Sequence, residues 1–299
     1  MSKVRIVTHT SDFHMDDVFS VALVSILEEG NELEIIRSRD ESVYPTADWL
    51  LDVGGKFEPQ NKRFDHHQED FAEKRSNGIS CSTVGLLWRE FGEKVTGGKL
   101  EAEIIDRKLI EFIDAVDCGT DFKSKDAPFN IYTLHDLIQR CLRPTGRELE
   151  KSTDQGLSFF LQAVDIARIV LKREIVQARD LIFDRVEVLK IYNQTEDKRV
   201  LVFPNKLSYG SIVSEIPEAI YIVGFNGPSD RWTINAIRKS ENTYIVRKDL
   251  PSNWAGKTGE ELQKITGVPD ALFCHKELFI AGAKSLEGAT KMAHLALQN

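Results

Sequence analysis

The 299-residue chain has few cysteines and no long apolar run, and both shortages narrow its class. No two of its four cysteines have the Cys-x-x-Cys spacing of a structural zinc site, which favours reduced thiols over a disulfide framework. No apolar stretch approaches the roughly 20 residues of a membrane span. The N-terminal stretch lacks the apolar core of a signal peptide and an Arg/Ser-rich presequence, so no targeting segment is expected. We therefore expect a cytoplasmic protein without a membrane partner.

Positive charge is also scarce. The chain has 39 Lys and Arg against 47 Asp and Glu, which gives a formal net charge of −8. A protein that binds long nucleic acid by charge alone is normally basic, so that class is disfavoured. A local basic pocket for a short anionic substrate stays compatible with this balance. Bound cations would offset part of the negative charge.

Acidic residues and histidines are instead concentrated in four short segments. An aspartate followed by two histidines is a poor choice for packing and a good one for binding a divalent ion. Each segment alone has an ordinary structural explanation, such as a helix cap or a turn. Their coincidence favours one shared metal site. The segments are His9–Asp17, Asp52–Gly55, Arg63–Gln68 and Asp114–Asp117.

Hydrophobic periodicity predicts an α/β fold. A strand at 4–8, a helix at 16–29 and strands at 33–37 and 49–52 suggest a doubly wound parallel sheet, in which ligands bind beyond the carboxyl ends of the strands. His9 and Asp52 both fall at such ends. Further helices are predicted at 82–93 and from 101, and the irregular stretch 119–156 could be a lid.

A long segment without Gly or Pro, 157–193, predicts a connecting helix. We expect a catalytic domain at 1–193 that includes this helix, and a smaller mixed α/β domain with a largely antiparallel sheet at 194–299. The strands predicted for the second domain are 199–203, 220–225, 232–237, 244–247 and 279–281, with helices at 259–266 and from 286.

Two divalent ions about 3.5–4 Å apart usually share a bridging carboxylate, and such a pair activates water for attack on phosphorus. Asp52 is the candidate bridge. His9 and His14 would complete the first site, and Asp16, His66 and Asp117 the second, with Asp114 left open as the alternative to Asp117. Mn²⁺, Mg²⁺ and Zn²⁺ all accept such ligands.

The candidate catalytic residues are Asp65 and His67. His67 need not bind metal. It could instead donate to a phosphate oxygen or protonate the leaving group.

Several motifs along the chain resemble the melanocyte-proliferating-gene (MYG) family, which is related to the DHH phosphoesterases. They are Thr8-His9-x4-His14-x-Asp16-Asp17-Val18-Phe19, Asp52-Val53-Gly54-Gly55, Arg63-Phe64-Asp65-His66-His67-Gln68, Phe112-Ile113-Asp114-Ala115-Val116-Asp117-x-Gly119, Arg247-Lys248-x-Leu250-Pro251-x2-Trp254-x-Gly256, Phe273-x-His275, Phe279-Ile280-x-Gly282 and Glu287-Gly288-Ala289. The resemblance implies a DHH-type first domain with two metal ions, commonly Mn²⁺, and a second domain that helps to bind substrate. It also implies phosphodiester hydrolysis, with 3′–5′ RNA exonuclease activity attributed to eukaryotic members. His14 departs from the wider DHH pattern, in which many relatives have aspartate.

On the substrate side, positive or titratable groups of the second domain are candidates, and Gly282 would allow close approach to a phosphate. The candidates are Arg247, Lys248, His275, Gly282 and Lys284. The expected substrate is a short RNA or a nucleotide. Two alternatives stay open, a phosphoanhydride hydrolase of the pyrophosphatase type and a non-catalytic metal- or nucleotide-binding protein. Assembly into a homo-oligomer is also left open.

Overall fold

The computed structural model describes residues 2–121, 128–240 and 243–298. It divides into two compact units, Met1–Arg179 and Asp180–Asn299. Both units combine a five-stranded mixed sheet with helices, so the chain has the predicted α/β class. Among the described residues, no helix is both long and apolar enough to cross a membrane.

The sheet of the first unit has the strand order β2-β1-β3-β5-β4. The first four of these strands run parallel to their neighbours, and β4 is antiparallel to β5. Ile6 and Val7 of β1 are fully buried, as expected of a strand covered on both faces. The strands are β1 (Lys3–Thr8), β2 (Glu32–Arg37), β3 (Trp49–Leu51), β4 (Phe57–Glu58) and β5 (Arg63–Phe64).

The helices of the first unit bury apolar faces in one continuous core with the sheet. Helix α2 ends at Gly97, whose φ of 88° closes the last turn. Helices α3 and α4 are continuous through a π-helical turn at Asp106–Ile110. The helices are α1 (Met15–Leu27), α2 (Thr83–Thr96), α3 (Lys99–Ile105) and α4 (Glu111–Asp117).

The stretch predicted to be irregular, 119–156, contains short helices in its described part. They are α5 (Leu134–Asp136), a π-helical turn at Leu137–Cys141 and α6 (Gly146–Leu149). Residues 122–127 of this stretch lie outside the described residues. The long helix α7 (Leu157–Gln194) follows, in agreement with the prediction, and the boundary between the two units falls within it.

The sheet of the second unit has the order β6-β7-β8-β10-β9, with β6 parallel to β7 and the other pairs antiparallel. Its elements are β6 (Val200–Phe203), β7 (Tyr221–Asn226), β8 (Arg231–Ala236), α8 (Gly259–Thr266), β9 (Ala271–Cys274), β10 (Ile280–Ala283) and α9 (Leu286–Gln298). The strand predicted at 244–247 is wrong. A single bridge between Val246 and Arg238 forms there, and Tyr244 and Ile245 point into solvent. Strand β9 was not predicted.

Candidate metal centre

Three neighbouring parallel strands deliver the central residues of the site. The first residue after β1 is His9, the first after β3 is Asp52, and the first after β5 is Asp65. Because the carboxyl ends of parallel strands meet at one edge of a sheet, these side chains converge. All three are buried.

Asp52 lies between two clusters of nitrogen and oxygen atoms. Its Oδ2 is 3.3 Å from His9 Nε2, and its Oδ1 is 3.4 Å from both His66 Nε2 and His67 Nδ1. The φ of Asp52 is 55°, a left-handed conformation that aspartate tolerates better than most residues. His14 completes the cluster on the His9 side, where the two imidazole rings are 5.6 Å apart.

A further cluster contains Asp16, His66 and Asp117. His66 Nε2 lies 3.3 Å from Asp117 Oδ2 and 3.8 Å from Asp16 Oδ2. The N-terminus of α2 holds Asp16, because the backbone N–H groups of Thr83 and Val84 donate to its carboxylate at 3.0 and 2.6 Å. Such N–H groups and the helix dipole favour the charged carboxylate.

Of the two aspartates that the sequence left open, Asp117 lies beside His66 and Asp114 does not. Asp114 is fully buried, where its Oδ1 accepts from the backbone N–H of Ser82 at 2.9 Å and its Oδ2 accepts from Arg75 Nε at 2.6 Å. Asp114 therefore stabilises the start of α2 through its hydrogen bond with Ser82.

The crowding of carboxylates raises several pKa values. Burial, with the charges of Asp16 and Asp52, raises the pKa of Asp117 to about 8. Burial and the charge of Asp52 raise the pKa of Asp16 to about 6. Burial opposes ionisation of Asp52 as well, but the nearby imidazoles of His66 and His9 outweigh it and hold its pKa below the usual range. A bound cation would relieve this repulsion.

The residues present fit divalent cations. Within the described part of the chain, the buried atoms His66 Nε2 and Asp17 Oδ2 have no hydrogen-bond partner, and an unpaired buried polar atom is costly. The donors are imidazole nitrogens and carboxylate oxygens, which suit Mn²⁺, Mg²⁺ and Zn²⁺. Three groups of potential ligands are linked, because the second shares Asp52 with the first and His66 with the third. They are His9, His14 and Asp52; Asp52, His66 and His67; and Asp16, His66 and Asp117.

The candidate catalytic pair is hydrogen-bonded. His67 Nδ1 lies 2.7 Å from Asp65 Oδ1, and the backbone N–H of Gly55 donates to Asp65 Oδ2 at 2.6 Å. The His67 side chain is 62% exposed, so its other nitrogen has access to solvent. The hydrogen bond to Asp65 raises the pKa of His67.

Asp17 also belongs to the site, although it was not among the ligands predicted from the sequence. Its Oδ2 lies 3.2 Å from His9 Nε2, and its Oδ1 accepts from the backbone N–H of His14 at 2.7 Å. An aspartate at a helix start usually caps, and Asp17 does that as well. The sequence does give one indication of this role, because two adjacent acidic residues, Asp16 and Asp17, stand at the start of an otherwise mainly apolar helix.

A cavity of about 490 Å³ is lined by residues of the metal centre, namely His9, His14, Asp52, His66, His67 and Asp117. Its lining also includes side chains that no sequence pattern singled out, because they come from separate loops and short helices. Among them are Arg39, Phe71, Cys118, His135 and Gln139.

The candidate substrate residues lie in the second unit and have contacts of their own. Arg247 donates from its terminal nitrogens to the carbonyls of Val213, Ile216, Pro217 and Ala219. Lys248 Nζ donates to the carbonyl of Leu297 at 2.8 Å. These two side chains therefore hold loop and helix ends together.

The other three candidates differ in exposure and contacts. A Cβ atom on Gly282 would stand 2.6 Å from Phe273 Cε1, so this glycine makes room for an aromatic ring. His275 Nδ1 accepts from the backbone N–H of Glu277, and Lys284 is exposed.

Comparison with known proteins places the chain in a family. Residues 5–297 match the family model MYG1_exonuc, described as an uncharacterised protein family (UPF0160). MYG1 exonuclease of Homo sapiens is 27% identical, covering 99% of this chain and 86% of that protein. The MYG1 protein of Chlamydia pneumoniae is 30% identical, covering 98% and 96%, and that of Dictyostelium discoideum is 28% identical, covering 98% and 96%.

Among solved structures, one match to this chain is an exopolyphosphatase-related protein from Bacteroides fragilis. It is 11% identical, with a TM-score of 0.24, and the match covers 99% of this chain and 92% of that one. The match to the family model over nearly the whole length, together with the sequence relatives, shows that the chain belongs to the MYG1 family (UPF0160).

Proposed function

We propose that this protein is a metal-dependent phosphodiester hydrolase, acting as a 3′–5′ exonuclease on short RNA or on nucleotides. One observation carries the proposal. The carboxylate of Asp52 has one oxygen beside His9 and the other beside His66, so a single residue joins two clusters of metal-ligand type. Relatives across nearly the whole chain are named exonucleases, which supports nucleic acid as the substrate.

In this proposal two divalent ions, Mn²⁺ before Mg²⁺ or Zn²⁺, would be held at the centre. Asp52 would contribute to both sites, with His9 and His14 at one and Asp16, His66 and Asp117 at the other. Bound there, the ions would supply an activated water and stabilise negative charge on the phosphoryl oxygens. A DHH-type, doubly wound arrangement of residues 1–193 would underlie this site, with residues 194–299 as the substrate-binding domain.

The protein side chains would bind the phosphate and move the proton. His67 is exposed toward solvent at the site, and its Nδ1 is held by Asp65, so its Nε2 is free to meet an incoming phosphate oxygen or the leaving oxygen. A raised pKa keeps His67 protonated to higher pH, the form needed for a donor. Asp65 positions this imidazole through its hydrogen bond, and Gly55 fixes Asp65.

Substrate contacts from the second domain are proposed for Lys284 and His275, with Arg247, Lys248 and Gly282 shaping the surface around them. Because the overall charge is negative, short oligonucleotides are favoured over long duplexes.

The test is hydrolysis of a five-nucleotide RNA labelled at its 3′ end, with inorganic pyrophosphate and a generic phosphodiester in parallel. Each is assayed with Mn²⁺ and with EDTA. We expect labelled mononucleotide from the RNA, stopped by EDTA and by the variants Asp52→Asn and His66→Ala. Matched controls are Asp70→Asn and His294→Ala, which change exposed residues that do not line the cavity of the metal centre.

The alternatives give different results. Phosphate released from pyrophosphate alone would replace the proposal by a phosphoanhydride hydrolase. Absence of turnover on all three compounds, with Mn²⁺ bound, would indicate a non-catalytic metal- or nucleotide-binding protein.

A further inference from the structure

A second cavity, of about 560 Å³, lies beside the segment that carries His9 and His14. The ends of this segment line the cavity of the metal centre, whereas the residues between them, Thr10 to Phe13, line the second cavity. Ser11, in the middle, has a φ of 86°, a conformation that serine rarely adopts. One short loop therefore separates two cavities.

Two arginines line this second cavity and converge on the same ring. The guanidinium carbon of Arg37 lies 5.7 Å from the ring centroid of Phe13, and that of Arg143 lies 5.8 Å from it. Arg37 also lies 4.6 Å from the ring centroid of Phe160. Both planar cationic groups therefore contact the same aromatic ring.

Backbone carbonyls orient both guanidinium groups. Arg37 Nη2 donates to the carbonyl of Ser11 at 2.7 Å, and Arg143 Nε donates to the carbonyl of Phe13 at 2.5 Å. Both arginines are thus tied to the loop between the cavities.

The positive charge of this pair is offset only in part. Within the described residues, Arg37 Nε and Arg143 Nη2 are buried and have no hydrogen-bond partner. The one acidic side chain paired with Arg143 in that part of the chain is Asp12, at 3.4 Å, and it is 81% exposed. Burial lowers the pKa of both arginines, and the charges of Asp17 and Asp12 oppose this shift without reversing it. Two cations that line one cavity favour an anion there.

We propose that this cavity binds a phosphate group between Arg37 and Arg143, as a second anion site separate from the metal centre. Guanidinium forks match the oxygens of phosphate. Pro144 and Leu149 give the cavity an apolar wall, and Ser152 and Gln155 a polar one, which suits a small phosphorylated organic molecule as well as free phosphate. The proposal does not depend on the proposed hydrolase activity, because it concerns binding alone.

The experiment measures binding to the metal-loaded full chain by thermal unfolding. Potassium phosphate and a nucleoside 5′-monophosphate are titrated, with potassium chloride at matched ionic strength as reference. Four proteins are compared, namely the wild type, Arg143→Gln, Arg147→Gln and His67→Gln. Arg147 is exposed and lies outside the cavity lining, so its variant makes the same charge change without touching the site.

We expect phosphate to stabilise the wild type and the Arg147→Gln protein equally. The His67→Gln protein should keep a phosphate-dependent shift, because its change affects the metal centre alone. In Arg143→Gln the affinity should fall about tenfold or more, the effect of losing charge-assisted hydrogen bonds. A larger shift with the nucleotide than with phosphate identifies an organic phosphate as the ligand, and equal shifts identify free phosphate.

Equal responses of Arg143→Gln and the wild type, or no response of the wild type to either compound, would overturn the proposal. Should the Arg143→Gln protein fail to fold, wild-type crystals soaked in tungstate provide the second measurement. An anomalous peak within hydrogen-bond reach of both guanidinium groups supports the site. A peak at the metal centre alone, or no peak at all, refutes it.

Discussion

A Cβ atom built on Gly85 would stand 2.2 Å from Oδ1 of Asp114. The carboxylate of Asp114 therefore occupies the space that a side chain at position 85 would need. The same carboxylate oxygen lies 2.7 Å from Ser82 Oγ, which is also 2.7 Å from Asp16 Oδ1. The absence of a side chain at Gly85 thus allows α4 to support the helix start that holds Asp16.

The variant Gly85→Ala should be destabilised because its methyl group displaces a buried, hydrogen-bonded carboxylate. Overpacking of this kind costs about 1–3 kcal/mol. Thermal unfolding of the metal-free protein measures the loss. Gly146→Ala is the matched control, since a Cβ there meets nothing within 4 Å and the change should be neutral or slightly stabilising. Equal free energies of unfolding for Gly85→Ala and Gly146→Ala would show that the Asp114 carboxylate moves aside without destabilising the protein.

Asp114→Asn and Asp117→Asn should have opposite effects. Asp114 is the buried partner of Arg75, and breaking such a pair costs about 3–5 kcal/mol, so Asp114→Asn should reduce the free energy of unfolding. Burial and the charges of Asp16 and Asp52 oppose ionisation of Asp117 and raise its pKa to about 8. Asp117→Asn should therefore leave the metal-free protein as stable as the wild type or more so, and should weaken metal binding at least about tenfold.

Thermal unfolding and calorimetric metal titration of both variants separate these effects. The assignment of Asp117 as a ligand fails if metal binding is weakened by Asp114→Asn and not by Asp117→Asn.

His67→Gln should lower turnover about 10²–10⁴-fold, the usual contribution of a general acid, while metal content changes little. The reason is that His67 is held by Asp65 and is largely exposed, whereas His66 lies inside the carboxylate cluster. Steady-state kinetics and metal analysis of the same preparation test this. Loss of bound metal in parallel with activity would make His67 a ligand instead.

Metal affinity should rise with pH. Burial disfavours the charged forms of His9 and His66, but the carboxylate of Asp52 and the other nearby carboxylates outweigh it and raise their pKa values to about 9 and about 11. Both imidazoles are therefore protonated in the metal-free protein at neutral pH, and ligation must displace those protons. The affinity should increase by up to about tenfold per pH unit for each displaced proton.

The same shifts affect the stability of the metal-free protein. The contribution of the two histidines is fully present below their unfolded pKa of 6.5 and is lost as the pH rises through about 9 for His9. Calorimetry in two buffers of different ionisation enthalpy counts the protons released on metal binding. A metal affinity that does not change between about pH 6 and pH 8, with no proton released on binding, would contradict the account.

The parts of the fold that follow from local pattern were predicted well. Helix α8 has the predicted bounds, and α7 differs from its prediction by one residue, because helical periodicity and the absence of Gly and Pro are properties of the chain itself. The predicted convergence of His9 and Asp52 followed from the topology of parallel strands. Strand β9, Ala271–Cys274, was not predicted because none of its four residues is β-branched, so the usual β-branched signal of a strand is absent.

Other features depend on tertiary contacts that the sequence does not show. Tyr244 and Ile245 have strand-like side chains, but both remain largely exposed and no strand forms there. Asp114 and Asp117 have equivalent sequence signals, and their tertiary partners distinguish them, namely Arg75 and Ser82 for Asp114 and His66 for Asp117. The Arg37–Arg143 pair joins residues 106 positions apart, beyond the reach of any local pattern.

The central claim is that Asp52 joins two metal ions, and electron paramagnetic resonance of the Mn²⁺-loaded protein tests it most directly. The wild type should bind two Mn²⁺ per chain and give the spectrum of an exchange-coupled pair. In Asp52→Asn the coupling should disappear, whereas Asp70→Asn should match the wild type. One uncoupled Mn²⁺ per wild-type chain, or a coupled pair that survives in Asp52→Asn, would contradict the account.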